Sequence, residues 1–113
     1  SDGITDLVCT VYGGGPFTIT IKELVSQENN EGDISERVDW SIGNVNKGDL
    51  LAEAPNSVTK NTTGKWQITG GRMVGAATEE QCATFELVAK KDGAVLATFQ
   101  IQLKFADIFS QKP

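Results

Sequence analysis

Between Ala83 and Phe105 the side chains alternate with a period of two on both sides of Lys91-Asp92-Gly93, a pattern that leaves little room for anything but a long β-hairpin. On the outgoing arm Ala83, Phe85, Leu87 and Ala89 alternate with Thr84 and Glu86. On the return arm Ala97, Phe99, Ile101, Leu103 and Phe105 alternate with Thr98, Gln100, Gln102 and Lys104. Successive strand residues point to opposite faces, so each set lines one side of a sheet, one dry and one wet. Asp-Gly is the usual mark of a two-residue type I′ turn. With uninterrupted pairing, however, a two-residue loop sets Leu87 opposite Thr98, apolar against polar down the whole ladder. A three-residue loop, Lys91 to Gly93, pairs Leu87 with Ala97 and Phe85 with Phe99. A slip of one residue turns every side chain over, so the apolar pattern predicts the three-residue loop, closed by Gly93 in the left-handed conformation.

Shorter β-rich runs precede the hairpin. Residues 6–12 are apolar without clean alternation, and Gly13-Gly14-Gly15-Pro16 breaks them off as a turn or crossover. Phe17, Ile19 and Ile21 then alternate with threonines. Residues 23–36 are polar and acidic and read as a long surface loop. Val38, Trp40 and Ile42 alternate with Asp39 and Ser41, Leu50–Ala52 reads as a short edge strand, and Trp66 and Ile68 share a face of Lys65–Thr69. Turns are expected at 43–49, 55–57 and 61–64, and Gly70-Gly71 punctuates. Thr78 with Gln81 three residues on has the pattern of a capping box, which one helical turn would satisfy. About seven short strands at these spacings predict an all-β fold, an antiparallel two-sheet β-sandwich. Trp40 on a central strand makes the immunoglobulin-like type the expected one, with a jelly roll or small barrel as the alternative. The 113 residues fit a single domain, 1–113.

Composition excludes more than it selects. Ten basic against 15 acidic residues give a net charge of −5 with no basic run, which is unsuited to nucleic acid or an anionic membrane surface, and no apolar stretch approaches a membrane-spanning length. The chain holds no His, so the usual general base near neutral pH and the commonest metal ligand are both missing. No serine sits in a Gly-x-Ser-x-Gly elbow, and a cysteine nucleophile would have no imidazole partner. Glu79-Glu80 are adjacent rather than set across a cleft, as glycoside hydrolysis requires. Asn44, Asn46, Asp49 and Glu53 lack the carboxylate spacing of a calcium loop. The expectation is a non-enzymatic protein with no cofactor and no metal.

Binding is what remains. The even count of cysteines, Cys9 and Cys82, predicts one disulfide and with it a secreted or surface location. Ser1 without an initiator Met fits a processed product. Loops at the end of a rigid sandwich are the natural recognition sites. There Trp66 or Tyr12 could stack on a sugar face while Asn61 and Thr63 supply hydrogen bonds. The leading expectation is therefore a recognition module for a glycan or a protein, with Trp66, Tyr12, Asn61 and Thr63 as its site. The alternative is an assembly subunit or spacer of a virion, pilus or multidomain surface protein. That reading predicts a homo-oligomer through an edge strand, the 50–52 strand, or the C-terminal tail at Ile108-Phe109. A loop-based protease inhibitor would need one extended, rigidly held loop, and no stretch is plainly that.

Overall fold

The computed structural model describes residues 3–26 and 31–107. The Ile108-Phe109 tail and residues 27–30 of the acidic loop lie outside the described residues. Among the described residues eight strands form two sheets packed face to face: β1 (Ile4–Tyr12), β2 (Pro16–Thr20), β3 (Asp39–Asn46), β4 (Leu51–Glu53), β5 (Ser57–Lys60), β6 (Trp66–Met73), β7 (Cys82–Lys91) and β8 (Ala94–Ala106). One sheet has the order β1-β8-β7-β3; the other is β2-β6-β4, with β5 pairing β6 further along the same edge as β4. All ladders are antiparallel except β1 with β8, which is parallel. The all-β two-sheet sandwich expected from the alternation is what forms.

The hairpin β7–β8 is the spine, and its burial follows the sequence pattern. Ala83, Phe85, Leu87, Ala89, Ile101 and Leu103 are buried, while Thr84, Glu86, Gln100 and Gln102 are more exposed. Its loop differs from the expectation. Asp92 (φ 53°) and Gly93 (φ 83°) are both left-handed, and Lys91 pairs Ala94, so the turn is the two-residue type that Asp-Gly favours. Parity is restored one step later: Lys90 pairs Val95 but Ala89 pairs Ala97, leaving Leu96 as a bulge. Leu87 therefore faces Phe99 and Phe85 faces Ile101. Both local turn chemistry and face matching are satisfied, because a bulge absorbs the odd residue.

Opposite the spine, β6 carries the second sheet. Phe17, Leu50, Leu51, Ile68 and Met73 complete a core with Ala83, Phe85, Leu87, Ile101 and Leu103. Gly70-Gly71 does not end the strand. Gly71 pairs Phe17, and a Cβ on it would lie 2.5 Å from the Phe17 ring, so the missing side chain is where the phenyl sits. Ser57–Lys60, of which only Ser57 was expected and that in a turn, forms β5. The Thr78–Gln81 segment is a turn rather than a helical one, although the Thr78 N–H does donate to Gln81 Oε1 at 2.8 Å, the reciprocal half of a capping box.

A second, smaller cluster joins Leu24, Ile34, Val38 and Ala89, with segments 21–26 and 31–38 supplying the first three. Trp40 and Phe99 pack against both clusters, and Trp40 Nε1 donates to Ser35 O at 3.0 Å. Trp40 is thus the anchor its alternation predicted. Asp33 clasps the two segments: Oδ1 accepts from the Leu24 and Ser35 N–H groups, both at 2.9 Å, which holds this exposed carboxyl below the ordinary range.

The predicted disulfide does not form; Cys9 and Cys82 are both free. The ladder explains why. Cys9 aligns with Leu103 and Cys82 with Lys104, so β8 runs between them and their side chains leave opposite faces of the sheet. Two strand spacings come to about 10 Å, beyond the roughly 7 Å that a disulfide can bridge between Cα atoms. A secreted or surface location therefore has no disulfide to support it. Burial pushes the Cys9 thiol up, away from the reactive thiolate.

Candidate functional site

The four residues expected to form a binding site do not converge. Thr20 pairs Gln67 while Pro16 pairs Arg72, so β2 lies between Tyr12, before its start, and Trp66, beside its end. Tyr12 is 55% exposed beside Ala106, at the end closed by Gly13–Gly15. Trp66 opens β6 at the opposite end and is half-buried. The ring is engaged, with Lys60 Nζ 5.3 Å from its centroid and that ammonium also paired with Glu36. Its Nε1 is buried without a hydrogen-bond partner among the described residues. Asn61 is engaged too, its Oδ1 accepting from Thr63 N, Thr63 Oγ1 and Lys65 N at 2.7–2.9 Å. That carboxamide oxygen organises its own turn. Thr63 is exposed, with its hydroxyl donated inward to Asn61. The short strand expected at 50–52 is an edge: β4 ends its sheet, hydrogen-bonded on one side to β6, but Leu50 and Leu51 are core residues and offer no apolar contact surface.

The strand with the most exposed apolar surface is β1, paired on one side only. Seven large apolar side chains are exposed among the described residues, and four of them, Ile4 (46%), Leu7 (45%), Val8 (65%) and Tyr12 (55%), belong to this one strand. Its alignment with β8 sorts its side chains. Thr5, Leu7, Cys9 and Val11 match Phe99, Ile101, Leu103 and Phe105 and face the second sheet, whereas Ile4, Asp6, Val8, Thr10 and Tyr12 face outward. Leu7 stays open because β2 diverges from β1, leaving a cavity of about 300 Å³ lined by Leu7, Cys9, Ile19, Ile21, Phe99 and Ile101. On the other side of the sandwich, β3 and β5 approach and close the seam.

The backbone of β1 is sorted as well. Gly3 O accepts from Thr98 N, and Gly13 N donates to Ala106 O. In a parallel ladder alternate residues bond to the same neighbour, so the odd residues of β1 are bonded to β8. The N–H and C=O groups of Ile4, Asp6, Val8, Thr10 and Tyr12 point away from the sheet, and among the described residues nothing pairs with them. The strand has no lysine, no proline and no bulge, the usual devices that blunt an edge. By contrast β3, the other edge of the same sheet, is broken by a bulge between Ile42 and Val45. The alternation that found the hairpin was weak here because neither face of β1 is consistently covered. No known protein family, curated protein or solved structure matches the chain.

Proposed function

We propose that this protein is a non-enzymatic interaction domain that recognises another polypeptide by strand addition at β1. The observation that carries the reading is the free edge of a nine-residue strand whose exposed side chains are mostly apolar. Main-chain groups supply the bonding in this mode, and alternate side chains supply the selection. Leu7 and the adjoining cavity would take the inward side chains of an added strand, and Ile4, Val8 and Tyr12 would flank its outward ones. The order β3-β7-β8-β1 against β2-β6 with β4 and β5 also fits an immunoglobulin-like arrangement, a scaffold suited to presenting an edge.

The test is a titration with nine-residue peptides of alternating apolar and polar residues, followed by amide shifts along β1. The expected result is movement and protection of the amides of Asp6, Val8 and Thr10, abolished by Val8→Pro. Binding in a glycan screen that Trp66→Ala removes, with β1 amides unmoved, would place recognition at the loops instead.

A further inference from the structure

The outward face of β1 alternates apolar and polar residues in the same order from either end. About Val8 as centre, Ile4 mirrors Tyr12 and Asp6 mirrors Thr10; on the inward face Thr5 mirrors Val11 and Leu7 mirrors Cys9. We infer that the strand that adds to β1 is the β1 of a second copy of this chain, antiparallel, with Val8 on the two-fold axis. The inference rests on the strand-addition reading and names its partner.

Two features of the edge permit this register, and the third selects it. First, hydrogen bonding closes. The open-edge groups belong to residues 4, 6, 8, 10 and 12, and pairing 4 with 12, 6 with 10 and 8 with 8 puts each of them opposite another residue of the same set. A register shifted by one residue would face bonding groups with non-bonding ones. Second, charge is accommodated. Asp6 is the only ionisable carboxylate or ammonium side chain on β1, and in this register each Asp6 faces a Thr10 hydroxyl rather than its own copy. Moving the centre to Asp6 would set two carboxylates directly opposite, which is destabilising. Third, apolar surface meets apolar surface. Val8 faces Val8, and Ile4 faces Tyr12, the kind of aromatic and branched cross-strand pair that sheets favour.

A two-fold axis through Val8, perpendicular to the sheet, joins two four-stranded sheets into one of eight and keeps both second sheets on the same side. The two Leu7 side chains then point to that side, into the space where the two cavities beside β2 meet. Self-association of identical surfaces brings two chains of charge −5 together, so screening by salt should strengthen it. A single strand-to-strand contact is small by the standard of specific interfaces, and the dimer is expected to be reversible.

The register is read by disulfide trapping in a Cys9→Ser, Cys82→Ser background. Hydrogen-bonded antiparallel pairs hold their Cα atoms about 5.5 Å apart, within disulfide range, whereas residues offset by four positions are separated by more than about 13 Å. Val8→Cys should cross-link to itself under mild oxidation at least about tenfold more than Asp6→Cys or Thr10→Cys alone. Asp6→Cys mixed with Thr10→Cys should cross-link as efficiently as Val8→Cys. Equal trapping of all single variants, or a maximum at Asp6→Cys or Thr10→Cys alone, overturns the inference. Absence of trapping in every variant overturns it as well, provided that odd-numbered β1 amides remain protected and show the strand folded. If that failure is accompanied by peptide protection of the even amides, strand addition stands and only the self-pairing falls; if neither occurs, both fall.

Discussion

β7 and β1 flank the same strand, β8, and meet opposite fates. β7 has neighbours on both edges and the second sheet over its inner face, and Phe85 at its middle is wholly buried. β1 has one neighbour among the described residues, and only its Cys9 and Val11 are even half-buried. Both are β-forming sequences of similar length. The difference lies in what covers them: β4 and β6 bring Leu51, Ile68 and Met73 into the core with Phe85 and Leu87, while beside β1 and β2 a cavity stays open. A strand held by one ladder and no roof contributes little to the core and offers both bonding groups and apolar side chains outward. Stability is concentrated in β7 and association in β1.

That contrast can be broken by substitution. The largest effect is expected at Phe85→Ala, about 3–5 kcal/mol of destabilisation in denaturant titration, for a wholly buried aromatic that the second sheet cannot collapse around. Phe99→Ala should cost less, about 2–3 kcal/mol, since the ring is only half-buried where the two clusters meet. Gly93→Ala should cost about 1 kcal/mol by placing a Cβ at φ 83°, read as a fall in melting temperature of several degrees. Val8→Lys should change the stability of the monomer by no more than about 0.5 kcal/mol while abolishing concentration-dependent sedimentation. A Val8→Lys protein as unstable as Phe85→Ala would erase the distinction between the two strands.

The smallest effect is set by pH. The Asp33 carboxyl titrates below its ordinary value of about 4 because its ionised form accepts two backbone N–H groups. A depressed carboxyl stabilises the fold above its unfolded pKa and loses that contribution as pH falls through the folded one. The clasp should therefore be unaffected from pH 7 to 5 and loosen below about pH 4, visible as shifts of the Leu24 and Ser35 amides that Asp33→Asn removes.

The parts legible in the sequence were those where local pattern and burial agree. Phe85, Leu87, Ile101 and Leu103 alternate because a second sheet covers one face. Trp40 anchors the core for the same reason. The hairpin loop was misread because a bulge at Leu96 lets the Asp-Gly turn and the apolar faces coexist, and no composition signal marks that extra residue. β6 was cut short at Gly70-Gly71 because a glycine pair reads as a break; only the Phe17 ring lying on Gly71 explains it inside a strand. The cysteine count suggested a bond that the intervening β8 forbids. The loop residues Trp66, Tyr12, Asn61 and Thr63 were selected by chemical type, and type does not reveal that β2 separates the first two or that Asn61 is committed to its own turn. An unroofed edge is invisible to periodicity, since what matters is the absence of a neighbour.

The most direct test is residue-resolved amide hydrogen exchange along β1 at low and high protein concentration. In dilute solution Thr5, Leu7, Cys9 and Val11 should be protected by β8, while Asp6, Val8 and Thr10 exchange freely. On concentration the even set should gain protection and the odd set should not change. Even-numbered amides that exchange freely at every concentration would contradict self-pairing at this edge, and protection of both sets in dilute monomer would mean that the edge is not open at all.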